Sequence, residues 1–471
     1  MARPGSVETA EPRSDRPPIW PQSLLARIRR RARDRTVVVL DDDPTGTQTV
    51  RGVPVLFDPD VAALAEVLGR GAGLVFVLTN SRSLSEHAAV ALTRRLVRRV
   101  VRASRRTGRA VTFVSRSDST LRGHFPAEVD ALAEAMGAPM APTLLMPYFG
   151  DGGRITLDGV HYLVRDGDPV PVARTEYARD PAFAYDTSEL ARWVADRAGA
   201  SRATVPIPLA LIRSGGPDAV ADVLRRLPDR AIAIADAADD RDAEVVAAAM
   251  VDVERDGRAI LARTAAGYVR ARAGQARRPD LTAGEIPGRR GAGLVIVGSH
   301  VPMTTVQLER LLGDPPIELA LVEVPADAAD GSVPERERRR ARSAIDRAVA
   351  AGITPVVVTP RRVAPPAADD PDGVHRARRF ARSLARLVTD PPGPPAWVVA
   401  KGGITSSDVA TRVLGGRSAM VVGQLLPGVS LWLVHREGRG RIPLVVFPGN
   451  VGGPEDLRRA VAMMATRSDP P

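Results

Sequence analysis

Short apolar runs alternating with helical stretches constrain this chain more than any other feature. TVVVL at 36–40, LVFVL at 74–78, AVTFV at 110–114 and TLLM at 143–146 are each bounded by turn residues. Runs of that length between turn signals read as strands. Between them, 61–68 and 88–103 carry helical periodicity. Such alternation builds βαβ units and a largely parallel sheet flanked by helices, so the expected class is α/β. AIAIA at 231–235 extends the series, with a helix expected over 243–253.

At 471 residues the chain suits two domains, each large enough to bury its own core. The stretch RARAGQARRPDLTAGEIPGRR, 270–290, has little apolar periodicity and several breakers. The expected division is therefore a first domain over 36–270, a linker over 271–290 and a second domain over 291–465. The second α/β region opens with LVIV at 294–297. A helix is expected over 304–312, and strands near 319–324, 355–358 and 396–400. A Pro/Asp-rich loop at 364–373 reads as exposed. Residues 1–35 are Pro- and Arg-rich and lack the apolar stretch of a secretory signal. They read as a disordered extension with at most a short helix over 23–33.

Composition excludes several classes. Cysteine is absent, so disulfides, thiolate metal sites and a Cys nucleophile are excluded. No apolar run approaches the roughly 18 residues of a membrane-spanning helix, and a cytoplasmic location is expected. The net charge of +11 suits nucleic-acid binding in principle. However, Lys401 is the single lysine among 66 basic residues, a bias spread over the whole chain. Aromatic residues are 4%, too few for stacking platforms. The basic runs at 94–109 and 336–342 have helical spacing and read as solvated helix faces. No nucleic-acid or membrane partner is expected.

In open α/β sheets, ligands bind beyond the carboxyl ends of strands. The first strand ends in Asp41-Asp42-Asp43-Pro44-Thr45-Gly46-Thr47. Three adjacent carboxylates repel one another, and a ligand hydroxyl or a metal would relieve them. A capping turn is the plainer alternative. The second strand leads into Thr79-Asn80-Ser81-Arg82-Ser83. The third leads into Ser115-Arg116-Ser117-Asp118-Ser119-Thr120-Leu121-Arg122-Gly123-His124. Guanidinium groups beside a carboxylate suit an acidic substrate, although internal Asp–Arg pairs would use the same residues. The fourth strand runs into the glycine-rich 147–162 stretch, either a loop that closes over a ligand or a hairpin connector.

The second domain carries three glycine-rich strand ends, at Gly298-Ser299-His300, at 401–408 and at 448–452. Glycine lets backbone N–H groups approach phosphate oxygens, and a following helix N-terminus favours the charge. Lys401 stands at one of these ends. There is no G-x-x-x-x-G-K-[ST], no G-x-G-x-x-G and no G-x-S-x-G, so Walker-type, Rossmann and α/β-hydrolase sites are unsupported. The six histidines lack zinc-site spacing, though His124 and His300 fall in candidate loops.

At this point the sequence resembles the four-carbon acid sugar kinase family. VVVLDDDPTGTQTV resembles its DDLTG motif, with Asp42, Asp43, Thr45 and Gly46 matching and Pro44 in place of Leu. SDSTLRGH resembles its DSTLRGN segment, with His124 in place of Asn. IVGSHVPMTTVQ, KGGITSSDVATRVLG and VVFPGNVGGPEDL resemble segments of its nucleotide domain. The five segments run in order from about residue 36 to 462.

The resemblance implies an acid-sugar-binding domain, an ATP-binding domain and an active site in the cleft between them. It implies phosphate transfer from ATP, with Mg²⁺, to a terminal hydroxyl of threonate, erythronate or 3-oxo-tetronate. Arg122, with Arg82 or Arg116, would hold the carboxylate, alongside Asp118, Ser119 and Gly123. Asp42 or Asp43 would bind hydroxyls and act as base. Ser299, Lys401, Gly402, Gly403, Ile404, Thr405, Gly423, Gly449 and Asn450 would frame ATP. No residue is assigned to the metal, and a homodimer is a family-level expectation. A rival reading uses the same segment. Asp41, Asp43 and Thr45 fit the D-x-D-x-T of haloacid-dehalogenase phosphatases, with Asp41 as nucleophile. A ligand-binding homologue without turnover is the non-enzymatic alternative.

Overall fold

The computed structural model describes residues 16–288, 291–324, 333–358, 383, 387 and 395–466. The loop expected at 364–373 and residues 1–15 lie outside this set. The strands expected from the apolar runs form the centre of the first domain: β1 (Arg35–Asp41), β3 (Leu74–Leu78), β4 (Ala110–Arg116) and β5 (Thr143–Met146). They pair in parallel with β2 (Val53–Phe57), β9 (Thr204–Ile207), β10 (Ile232–Ala235) and β11 (Leu261–Thr264), in the order β2-β3-β1-β4-β11-β5-β10-β9. Parallel strands are covered on both faces, and this is why they read as unbroken apolar runs. Val38, Val39, Val75, Phe76 and Val77 are fully buried.

In the second domain, β12 (Leu294–Val297), β13 (Leu319–Glu323), β14 (Thr354–Val358), β15 (Val398–Lys401) and β18 (Gly440–Phe447) are likewise parallel. An antiparallel meander, β16 (Gly416–Leu426), β17 (Val429–Arg436) and β18, follows. Here the structure departs from two separate sheets. β16 pairs antiparallel with β2, so among the described residues both domains share one 15-stranded sheet. The junction is sealed by Trp432, whose indole N–H donates to the Thr47 hydroxyl at 2.7 Å. A small antiparallel sheet, β6 (Arg154–Leu157), β7 (Val160–Arg165) and β8 (Asp168–Pro171), stands apart.

Residues 16–35 are more ordered than their composition suggests. Their helix, Leu25–Arg31, buries Leu25 and Ile28. Glu244 accepts from the Leu24 backbone N–H (2.7 Å) and the Ser23 hydroxyl (2.9 Å), tying the segment to the helix Asp240–Arg255. The linker region is also packed, with Leu281 and Ile286 buried in the second domain's core. On the Arg-rich helix Glu86–Thr107, Arg94 pairs with Glu134 and Arg99 with Asp58, as a solvated, ion-paired face would.

Candidate active site

The carboxyl ends of β1, β3 and β4 and those of β12, β15 and β18 meet at one cleft of about 870 Å³. From the first domain, Asp43, Arg82, Arg116, Asp118, Ser119 and Arg122 line it. From the second come Gly403, Ile404, Gly449 and Asn450. Ten of the residues singled out from sequence are thus brought together from segments as far apart as 43 and 450.

The aspartate triplet has three different fates, because side chains alternate in direction along an extended backbone. Asp41 is 1% exposed and accepts from Arg116 Nη1 at 3.0 Å. Burial, with Asp42 and Asp43 alongside, lifts its carboxyl to about 7 despite Arg116. Gly46 packs so closely on this carboxylate that a side chain there would strike it. Asp41 does not line the cleft, so the phosphatase nucleophile has no access to a substrate. Asp42 is buried behind Arg82, which grips it through Nη2 (2.7 Å) and Nε (3.2 Å). Asp43 alone of the three reaches the cleft. It caps a 3₁₀ turn, Pro44–Thr47, by accepting from the Thr45 backbone (2.8 Å) and hydroxyl (2.6 Å). Burial would raise its carboxyl, but Arg82, Arg116 and Thr45 outweigh burial and hold it below the ordinary aspartate value.

The loop after β4 is held under strain. Leu121 adopts φ +68°, a conformation that a bulky residue rarely takes. Two groups pin the loop from behind: His161 Nε2 lies 2.8 Å from the Ser119 carbonyl, and the Tyr185 hydroxyl donates to the Thr120 carbonyl at 2.8 Å. Burial pushes the His161 imidazole down to about 4, so at neutral pH it is uncharged. Its Nε2–H then donates to Ser119, and Nδ1 accepts from the Thr156 hydroxyl. So anchored, the loop presents Asp118, which accepts from Arg122 Nε (2.8 Å) and from the Thr120 hydroxyl. Against burial, Arg122 and Arg82 hold the Asp118 carboxyl well below its usual range. Gly123 sits beneath Arg263, where a Cβ would lie 2.6 Å from Nη2, and takes no place in the cleft lining. His124 is buried, with Nε2 near the Ser81 and Leu84 carbonyls (3.2 and 2.9 Å), a local structural role.

In the second domain, Ser299, Gly402, Thr405 and Gly449 converge behind the lining. The Thr304 hydroxyl donates to the Gly449 carbonyl (2.9 Å) and lies 3.0 Å from Ser299 Oγ, from which it can accept. A Cβ on Gly449 would lie 2.5 Å from Ser299 Oγ, and one on Gly402 would lie 3.1 Å from Thr405 Oγ1. Two expected ATP contacts need correction. Lys401 is fully buried; its amine donates to the Pro448 (2.7 Å) and Val451 (3.2 Å) carbonyls and lies 3.8 Å from the Phe447 ring centroid. It supports the glycine-rich loop from within the domain. Gly423 lies within the long strand β16, packed against Arg51 and outside the cleft.

The stretch 147–162, read from sequence as a ligand-covering loop or a hairpin connector, brings Arg154 to the cleft, and Tyr177 and Arg179, which sequence reasoning did not pick out, line it as well. Asn450 donates to the Tyr177 hydroxyl at 2.8 Å, a hydrogen bond that bridges the two domains. Across the same gap, a Cβ on Gly403 would lie 2.9 Å from Asp43 Oδ2. Gly403→Ala is therefore expected to displace the carboxylate and lower kcat by roughly 10–100-fold. Melting temperature should change little; unaltered kinetics would show that the approach is not needed.

Fold and site together define a two-domain α/β protein that sets an aspartate–arginine cluster against glycine-rich strand ends across one cleft. Residues 37–272, half of the chain, match the family model described as a sugar-binding N-terminal domain. Residues 294–457 match that of a nucleotide-binding C-terminal domain. The chain belongs to the four-carbon acid sugar kinase family. It is 30% identical over 178 residues to a D-erythronate kinase of Heliobacterium modesticaldum, an alignment covering 37% of each chain. It is 38% identical over 119 residues to a D-threonate kinase of Bordetella bronchiseptica, covering 25% of this chain and 27% of that one. The alignments thus span less than half of either relative. A crystal structure of a Haemophilus influenzae protein shares the fold, with a TM-score of 0.61 at 20% identity over 91% of this chain and all of that one. Among the described residues, no helix is long and apolar enough to cross a membrane.

Proposed function

We propose that the protein transfers the γ-phosphoryl group of ATP to the terminal hydroxyl of a four-carbon acid sugar, with erythronate and threonate as first candidates. The observation that carries this reading is the approach of Gly403 to Asp43, which sets a phosphate-tolerant backbone beside an ionised carboxylate. The acid lies on the first domain with its hydroxyl at Asp43. The hydroxyl oxygen attacks the γ-phosphorus, the bond to the β-bridging oxygen breaks, and ADP leaves. Asp43 accepts the hydroxyl proton as the new P–O bond forms. Gly403, Gly449 and Asn450 line the cleft at these strand ends, and their backbone N–H groups would meet the phosphates. The Asn450–Tyr177 bond helps to close the cleft against water, which suppresses ATP hydrolysis.

Mg²⁺ accompanies ATP in phosphoryl transfer and neutralises phosphate charge. Among the described residues, no group of three or more Asp, Glu or His side chains is placed to hold a metal ion. Asp42, Asp43 and Asp118 are all engaged by Arg82. This donor set does not fit a metal site built by the protein, and no step is assigned to one. The test is ADP release by purified protein with MgATP and a panel of D-erythronate, D-threonate, L-threonate and 3-oxo-tetronate. Release dependent on one acid supports the reading, whereas acid-independent release, or none with any member, counts against it.

A further inference from the structure

Five arginines line the cleft, and they are not chemically equivalent. Arg82 is engaged by Asp42 and Asp43, Arg116 by Asp41, and Arg122 by Asp118 and Asp180. Among the described residues, Arg154 and Arg179 form no ion pair with any carboxylate. A substrate carboxylate that takes Arg82, Arg116 or Arg122 must compete with an aspartate already in place. Displacing that aspartate would leave a buried charge unpaired, which is costly. At Arg154 and Arg179 no carboxylate is in ion-pair contact; Glu176, the nearby acid of the cleft, is paired with Arg165, although it also feels the charge of Arg154.

Arg154 is also prepared for a flat anion. It opens β6, and its guanidinium carbon lies 5.9 Å from the Phe149 ring centroid and 5.8 Å from that of Tyr177. Two aromatic neighbours restrict its orientation, and a fixed guanidinium loses less freedom on pairing with a carboxylate. One nitrogen donates to the Gly152 carbonyl, while Nε is buried without a hydrogen-bond partner. A buried donor left unsatisfied favours any acceptor that reaches it. Arg179 ends the neighbouring 3₁₀ turn, Glu176–Arg179, and is exposed at the cleft.

We infer that Arg154, assisted by Arg179, receives the carboxylate of the acid substrate. Arg82, Arg116 and Arg122 are then positioning residues that hold the aspartates. This inference rests on the kinase reading for its substrate class, but its test does not require turnover. Titration calorimetry of the acid that best supports ADP release, or of D-erythronate if none does, is done on the wild-type protein, Arg154→Gln and Arg179→Gln, without nucleotide. Binding is expected to weaken about 10–100-fold in Arg154→Gln and less in Arg179→Gln, as for a lost hydrogen bond to a charged group. Where turnover is observed, the KM for the acid rises by the same factor and the KM for ATP stays within about twofold. Preference for the acid over the matching uncharged polyol falls in parallel. Arg154→Lys, which keeps the charge but not the planar fork, recovers only part of the affinity. Unchanged acid binding in Arg154→Gln, or a rise confined to the KM for ATP, overturns the inference while leaving the kinase reading intact. If the wild-type protein binds the acid and loses it in Arg154→Gln but releases no ADP, the inference holds and the kinase reading fails. No acid binding by wild-type protein removes both.

Discussion

Asp43→Asn should abolish most turnover while nucleotide binding survives. The substitution keeps the side chain's shape, and the Asn oxygen can still accept the Thr45 hydrogen bonds that cap the 3₁₀ turn. Arg82 retains its two bonds to Asp42, so the cluster keeps an anchor. What is lost is the one carboxylate of the triplet that reaches the cleft. Removing a positioned base costs about 10²–10⁴-fold in rate, so kcat should fall within that range. Affinity for a fluorescent ATP analogue should change by no more than about twofold, since the nucleotide loops lie on the other domain. Because Arg82 and Arg116 hold the Asp43 carboxyl low against burial, wild-type activity should lose this group only as pH falls below the usual aspartate range. Turnover close to wild type in Asp43→Asn would remove its assignment as base.

The second large effect concerns the single lysine. Lys401→Met is nearly isosteric but leaves the Pro448 and Val451 carbonyls without their buried donor. Unsatisfied buried acceptors cost about 1–3 kcal/mol each, and a loss of that order lowers the melting temperature by roughly 5–15 °C. The glycine-rich loop at 448–452 should loosen as well, weakening ATP binding. Burial pulls the Lys401 amine from its ordinary 10.5 down to about 6, with Asp456 opposing. Between those values the unfolded chain binds a proton that the folded chain does not. This group's contribution to stability therefore rises with pH across that window, and its burial penalty is fully present below about 6. The gap in melting temperature between wild type and Lys401→Met should widen from pH 6.5 to pH 9. A gap that stays constant or narrows would show that the amine remains charged in the fold.

These two residues also mark what could and could not be read from the sequence. The central parallel strands were legible because burial on both faces writes a continuous apolar run, as in Val37, Val38 and Val39. β2 was not, since Pro54 interrupts its run and proline argues against an interior strand. The joining of the two domains into one sheet depends on β2 meeting β16, a pairing between residues more than 350 positions apart. Nothing local encodes it. Asp43, Arg82 and Gly403 were legible as cleft residues because they follow strands whose ends face a cleft. The identity of Lys401 stood out, but its direction did not: at the end of a buried strand it turns inward to carbonyls. Arg154 fell in the glycine-rich 147–162 stretch, whose role stayed open between loop and hairpin, while Tyr177 and Arg179 lie on a 3₁₀ turn with no motif to mark them.

The closed ion pairs of the cleft set the division of labour proposed for its charges. Asp42, Asp43 and Asp118 each have an arginine partner, with Asp43 facing the cleft to orient a hydroxyl and Arg154 and Arg179 left to meet an anion. Phosphoryl transfer demands placement and charge balance more than covalent chemistry, and a rigid, pre-paired cluster supplies placement.

The most direct test of phosphate transfer to the acid is ³¹P NMR of the reaction of purified protein with MgATP and D-erythronate or D-threonate. The expected result is loss of the ATP γ-signal matched by a phosphomonoester resonance split by the two protons of one methylene carbon, the mark of a phosphorylated terminal CH₂OH. Inorganic phosphate as the sole new signal, or an unchanged ATP spectrum with every acid, would contradict it.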